Sequence, residues 1–332
     1  MKELIKKLVE TVSPSGYENP IRQVIRDEVE GLVDELRVDN LGNLICRKGQ
    51  GTPHGMKIML AAHMDEIGVM ATHVDDKGFV RFTSIGGVWP QTCIGGRVRF
   101  LNGASGVIYG ERLDDRFRAP TLEQLYIDLG ANSRADCPVR VGDVAAFERP
   151  FMDLGKRLIS KAMDDRIGTA VLIETLRQLG DTPHEIYFVF SVQEEVGLRG
   201  ATTAAFGVSP DLGLAVDVTG SGDTPKGFKM EVSLGKGPAI KVRDSNILAD
   251  PRVIQWMINS AEKANLPNQL EVLQMGGTDA SAIQLSRAGV PAGCLSIPCR
   301  YIHSPSEMVD YDDVQNAVLL MLELLRYPVQ LG

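Results

Sequence analysis

The run Ile186-Tyr187-Phe188-Val189-Phe190-Ser191-Val192, followed at once by Gln193-Glu194-Glu195, decides the fold. An unbroken apolar or small stretch, rather than an alternating one, marks a strand covered on both faces, and such strands belong to parallel sheets of α/β proteins. Open α/β sheets place their chemistry beyond the carboxyl ends of their strands. The same grammar recurs along the chain. Lys57-Ile58-Met59-Leu60-Ala61-Ala62 runs into His63-Met64-Asp65, Leu212-Gly213-Leu214-Ala215-Val216 runs into Asp217, and the run from Ala292 to Ile297 shortly precedes His303. These strand ends deliver His, Glu, Asp and His, ligand types that hold zinc or cobalt.

Composition narrows the function classes. At 332 residues the chain exceeds ordinary single-domain size, so a large domain plus a smaller one is expected. The formal charge of -8, with no dense Lys/Arg run, gives no stripe for nucleic acid. Met1 to Val9 mixes charged and aliphatic residues at helical spacing, unlike a signal peptide, and no stretch reaches membrane-spanning length. Cys46, Cys93, Cys137, Cys294 and Cys299, odd in number and scattered, read as reduced thiols of a cytoplasmic protein.

After His63 the texture changes. Residues 67–157 are dense in short alternating runs such as Phe79-Val80-Arg81-Phe82 and Arg97-Val98-Arg99-Phe100, which predicts a small β-rich domain. From Leu158 the strand and helix alternation resumes. The expected architecture is therefore one discontinuous α/β domain, 1–66 and 158–332, with a mixed, mostly parallel sheet and helices on both faces, into which the β-rich domain 67–157 is inserted.

Each candidate site residue also has an ordinary structural reading. Asp164-Asp165 precedes a helix carrying Ile167, Val171, Leu172 and Leu176, where an aspartate commonly serves as a cap. Such a pair can also project an oxygen pair toward two cations. His63 alone could be a core histidine, but in His63-Met64-Asp65 alternation turns Asp65 to the same side, where it could orient the imidazole. Alternation would turn Glu194 and Glu195 to opposite sides, leaving one to bind metal and the other free as a base.

Six stretches carry a resemblance: Ala62-His63-Met64-Asp65-Glu66-Ile67-Gly68, Met163-Asp164-Asp165-Arg166-Ile167-Gly168, Gln193 to Ala201, Val216-Asp217, Gly276-Gly277-Thr278-Asp279-Ala280 and Ile302 to Glu307. In this order, across nearly the whole chain, they resemble the tetrahedral aminopeptidases, dinuclear metallopeptidases that include glutamyl and deblocking aminopeptidases and endoglucanase-like members. The resemblance implies that His63, Asp164 and Asp217 hold one metal and Asp164, Glu195 and His303 the other, with Asp164 bridging. It makes Glu194 the general base and Asp65 the residue orienting His63. It implies that the inserted domain pairs subunits and that the chain forms a homo-oligomer, a dimer at minimum and a tetrahedral dodecamer. It assigns no role to the 113–137 stretch.

The expected activity is a metal-dependent aminopeptidase acting on short peptides. Two cations about 3.5–4 Å apart bind the attacking water, lower its pKa toward about 7 and polarise the scissile carbonyl. Zinc, cobalt and manganese all suit His and carboxylate ligands. A related deacylase or carboxypeptidase could use the same centre. A glycoside hydrolase fits poorly, because it needs carboxyls about 5–9.5 Å apart across a cleft, whereas Glu194 and Glu195 are adjacent.

Overall fold

All eight residues of the strand Leu212–Thr219 are buried, as are eight of nine in Ala292–Arg300 and six of seven in Lys57–His63. Burial at successive positions means that both faces of the sheet are covered, as the apolar runs require. The computed structural model describes residues 1–115 and 118–331; Arg116 and Phe117, within the 113–137 stretch, lie outside the described residues with Gly332.

The large sheet has eleven strands. Its centre is parallel, with Glu185–Ser191, Lys57–His63, Leu212–Thr219 and Ala292–Arg300 side by side. Its flanks are antiparallel: the hairpin Glu35–Val38 and Leu44–Lys48 closes one side, and Glu307–Asp310, Arg157–Ser160 and Met152–Asp153 extend the other. The parallel register places Ser191 opposite His63, so those two strands finish level, and sets Ala215 opposite Ala61, so that Asp217, two residues before the end of its strand at Thr219, comes to the same edge. This alignment brings residues more than a hundred positions apart to one edge.

Helices cover both faces. Lys2–Glu10, Asn19–Val29, Met163–Gln178, Pro251–Lys263 and Tyr311–Arg326 supply apolar side chains to the larger core, while Arg199–Val208 and Asp279–Gln284 pack on the opposite face. Met163–Gln178 is buried almost all round because it lies between the sheet and other helices. Asp310 and Asp250 cap the two helices that follow them, accepting the backbone N–H of Asp312 at 2.8 Å and of Arg252 at 2.9 Å.

Between the His63 strand and the Met163 helix the chain builds a closed barrel. Its strands are Gly68–Val74, Val80–Ile85, Leu125–Asp128, Ser105–Gly110, Arg97–Phe100 and Val144–Glu148, the last pairing with the first. Alternating residues fill it with its own core, including Val69, Phe82, Val98, Phe100, Ile127 and Phe147. Within the 67–157 segment the barrel strands end at Glu148, and Met152–Asp153 already pairs into the large sheet. Phe151 joins the larger core, which draws this return segment toward the α/β body.

Candidate active site

His63 closes its strand with its Nε2 3.0 Å from Asp164 Oδ1, 3.9 Å from Glu194 Oε2 and 4.0 Å from Asp217 Oδ1. On the far side of Asp164, His303 Nε2 lies 3.4 Å from Asp164 Oδ2 and 3.2 Å from Glu195 Oε2. One aspartate therefore turns each of its oxygens to a different imidazole. The structure brings all five expected metal residues together in two groups, His63, Asp164, Asp217 and Asp164, Glu195, His303, with ligand atoms in each lying within 4.8 Å of one another.

The two aspartates of Asp164-Asp165 divide the alternatives open in the sequence. Asp165 accepts the backbone N–H of Gly168 at 3.0 Å, so it caps the helix. Asp164 has non-helical backbone angles and a side chain facing the imidazoles, and a cis peptide bond joins the pair. Its backbone N–H is donated to Glu307.

Strand alternation does not separate Glu194 from Glu195, contrary to expectation. The strand stops at Ser191, Gln193 adopts a left-handed φ of 55°, and both glutamates sit in the loop that follows. Asp65 sets this loop, accepting the N–H of Glu194 on Oδ1 at 3.1 Å and that of Glu195 on Oδ2 at 3.3 Å. The same carboxylate lies 3.4 Å from His63 Nδ1 and receives the hydroxyl of Ser15 at 2.6 Å. Asp65 thus acts on three candidate site residues, where the sequence suggested one.

Glu307, at the end of the Ile302 to Glu307 stretch, has no function evident from the sequence. It is buried, and its two oxygens accept the backbone N–H groups of His303 at 2.8 Å and Asp164 at 3.0 Å. His303 itself is left-handed, with φ 60°, a conformation costly for a side chain and tolerated where surrounding contacts impose it. The signal available was an acid four residues after a histidine, across the turn-forming Ser304-Pro305-Ser306. Asp279, within the quoted Gly276 to Ala280 stretch, accepts the hydroxyl of Ser191 at the end of the Glu194 strand.

The site is rich in buried acid. Burial and neighbouring carboxylates push Glu194 and Asp217 well above the usual carboxylate range, burial raises Glu195, and burial raises Asp279 to about 6. Burial alone would depress the histidines; the surrounding carboxylates outweigh it, lifting His63 well above its ordinary value and His303 to about 12. So many carboxylates around two imidazoles call for added positive charge. Glu195 Oε1 is buried with no hydrogen-bond partner among the described residues, while Oε2 faces His303. The donor set, one His and two carboxylates per group sharing Asp164, fits two divalent cations.

These residues line a cleft of about 490 Å³, walled further by Leu198, Thr219, Lys241, Leu273 and Ile302. A larger groove of about 740 Å³ lies by Trp256 and Tyr327, away from this cluster, so chemistry rather than volume marks the site.

Residues 42–320 match the family described as M42 glutamyl aminopeptidase. The chain belongs to that family. It is an aminopeptidase, a hydrolase of peptide bonds. It is 38% identical to the lysyl aminopeptidase of Pyrococcus furiosus over 97% of this chain and 96% of that protein. An aminopeptidase of the archaeon Desulfurococcus kamchatkensis superposes with a TM-score of 0.94 at 43% identity, covering 98% of this chain and 94% of the other. A Pyrococcus horikoshii TET1 peptidase, described as assembling into a tetrahedron or a large octahedral shell, superposes with a TM-score of 0.89 at 33% identity and covers 98% of each chain. In this M42 aminopeptidase the cleft at the sheet's carboxyl edge gathers the paired acids and imidazoles.

Proposed function

We propose that this aminopeptidase removes residues one at a time from the amino termini of short peptides, using two divalent cations. The observation that carries this reading is the position of Asp164, with one oxygen toward His63 and the other toward His303. His63, Asp164 and Asp217 would hold one cation and Asp164, Glu195 and His303 the other, with zinc, cobalt or manganese suited to these donors. When bound, the cations supply Lewis-acid polarisation of the scissile carbonyl and make a water acidic enough to attack near neutral pH.

The chain's own residues do the rest. Glu194 is the general base: its carboxylate takes a proton from the attacking water and returns it to the leaving amine. Burial and the neighbouring carboxylates Asp217, Glu195 and Asp279 raise its pKa, the charge crowding that bound cations would relieve. Asp65 holds the Nδ1 side of His63 and, through the backbone, the loop carrying Glu194 and Glu195. Glu307 fixes the backbones of Asp164 and His303. A carboxylate beside the cations can receive the substrate's free ammonium group, which limits cleavage to the first residue.

A metal-free sample reloaded separately with zinc, cobalt and manganese, then given free, N-acylated and C-terminally amidated peptides, tests this by mass spectrometry. Stepwise loss from free amino termini is the expected result; preferential cleavage of blocked amines or of carboxyl termini would establish the deacylase or carboxypeptidase alternative. The convergence of both glutamates on one cluster supports a peptidase over a glycoside hydrolase.

We further propose that the chain is a homo-oligomer whose subunits pair through the barrel, a dimer at minimum and a tetrahedral dodecamer in full. The tetrahedral assembly described for the Pyrococcus horikoshii relative supports this. Light scattering at micromolar concentration that gives only monomer would overturn it.

A further inference from the structure

The barrel reaches the candidate cation site through two glycines. The connection that follows its strand Val80–Ile85 passes through Gly86-Gly87 before Val88. A Cβ at Gly87 would lie 2.4 Å from His303 Nδ1 and 2.7 Å from its Cε1. At Gly86, where φ is +75°, a Cβ would lie 3.1 Å from both Cβ and Oε2 of Glu195. The atoms nearest these positions belong to Glu195, His303 and Ile67, and none to His63 or Asp217.

The two imidazoles are therefore supported differently. His63 has Asp65 behind it, 3.4 Å from Nδ1. His303 turns Nε2 to Asp164 and Glu195 and its Nδ1 edge to the backbone at Gly87. Gly87 is not in a left-handed conformation, so space rather than backbone strain excludes a side chain there. A methyl group at 2.4 Å overlaps the ring, and the ring would have to swing or the loop withdraw.

Building on the two-cation reading above, we infer that Gly87 is a positioning residue for the second cation group alone. The absence of a side chain lets the barrel loop seat the His303 ring so that Nε2 shares a cation with Asp164 and Glu195. The first group stands on strand ends of the large sheet and on Asp164, and does not depend on this contact.

The test is a titration of metal-free protein with Co²⁺ by calorimetry, comparing wild type, Gly87→Ala and a barrel-core control, Val98→Ala. Loss of a support behind a ligand typically weakens metal binding about 10–100-fold. Gly87→Ala should retain one ion at wild-type affinity and bind the second at least about tenfold more weakly, a loss on the scale of such supports. Val98→Ala should lower the unfolding midpoint and keep both affinities. Unfolding of the metal-free proteins supplies a second measurement: Gly87→Ala should lower the midpoint in the wild-type background and leave it unchanged in a His303→Ala background, where the overlapping ring is gone. Two wild-type affinities in Gly87→Ala, or an equal loss of midpoint in both backgrounds, would overturn the inference. Wild-type protein that binds a single ion would overturn the two-cation reading itself, and this inference with it.

Discussion

Asp65 accepts the backbone N–H of Glu194 at 3.1 Å, across 129 positions of sequence, and so ties the end of one strand to the loop following another. It is fully buried; although burial works against its charge, the neighbouring His63 imidazole and donors from Ser15 and Glu194 hold the carboxyl below its usual range. One side chain therefore couples the placement of an imidazole to that of two carboxylates.

Asp65→Asn replaces one acceptor oxygen with a donor that would face a backbone N–H or His63. Removing such a support costs about 10–100-fold in metal affinity or activity. Steady-state rates and metal content on the purified variant check this, and wild-type values for both would exclude the proposed coupling.

The adjacent glutamates should separate cleanly. A positioned general base contributes about 10²–10⁴ in rate, so Glu194→Gln should lose about that much while retaining both ions. Glu195→Ala should lose occupancy at one site, with partial recovery in excess metal. Elemental analysis and turnover decide between the roles, which are reversed if Glu194→Gln loses metal and Glu195→Ala keeps two ions.

Activity should vanish with a chelator and return with cobalt or zinc. In the cation-free cleft, neighbouring carboxylates raise His63 and His303, the latter to about 12, so both rings carry protons near neutral pH. A cation must displace those protons, and apparent affinity should rise with pH. Calorimetric titrations in buffers of different ionisation enthalpy should report net proton release. Release of zero protons at pH 7 would contradict this arrangement.

Asp223 receives Arg300 in a two-point pair, Nε at 2.9 Å and Nη2 at 2.7 Å, at the end of the strand that leads to His303. The guanidinium, first among its partners, lowers the Asp223 carboxyl to about 2. Its unfolded value is about 3.9, so its stabilisation is present above that pH and is lost as pH falls toward about 2. About a fifth of each side chain is exposed, and solvent screening limits the contribution to about 1 kcal/mol or less. Urea unfolding of wild type and Asp223→Asn should differ at pH 7 and converge near pH 2; an equal difference at both would rule the pair out as the cause.

The apolar strands were legible because burial on both faces leaves a local trace. The strands holding Leu212 to Val216 and Lys57 to Ala62 could be read from residue type alone, as could the place of Asp217 and His63 after those runs, although the first strand continues past Asp217 to Thr219. The change to short alternating runs after His63 likewise marked the β-rich insertion, since a barrel wall buries alternate residues. The division between Asp164 and Asp165 was not legible: both are acids before a helix, and only the backbone path makes one a cap and turns the other to the histidines. Alternation failed at Glu194-Glu195 for a related reason, because it holds only while the chain stays extended and Gln193 departs from that conformation.

What the sequence by itself determined is the set of buried strands, the acids and imidazoles at their ends, and the order in which they occur. Those follow from side-chain chemistry and from the periodicity with which each element meets water. The tertiary structure decided the register that sets Ser191 opposite His63 and Ala215 opposite Ala61, the grip of Asp65 on Glu194 and of Glu307 on His303, and the seating of the His303 ring against Gly87. Each is a contact between segments far apart in the chain, set by how the sheet is ordered and how the barrel docks; no local pattern of hydrophobicity encodes the distance between two atoms that meet only when the chain has closed.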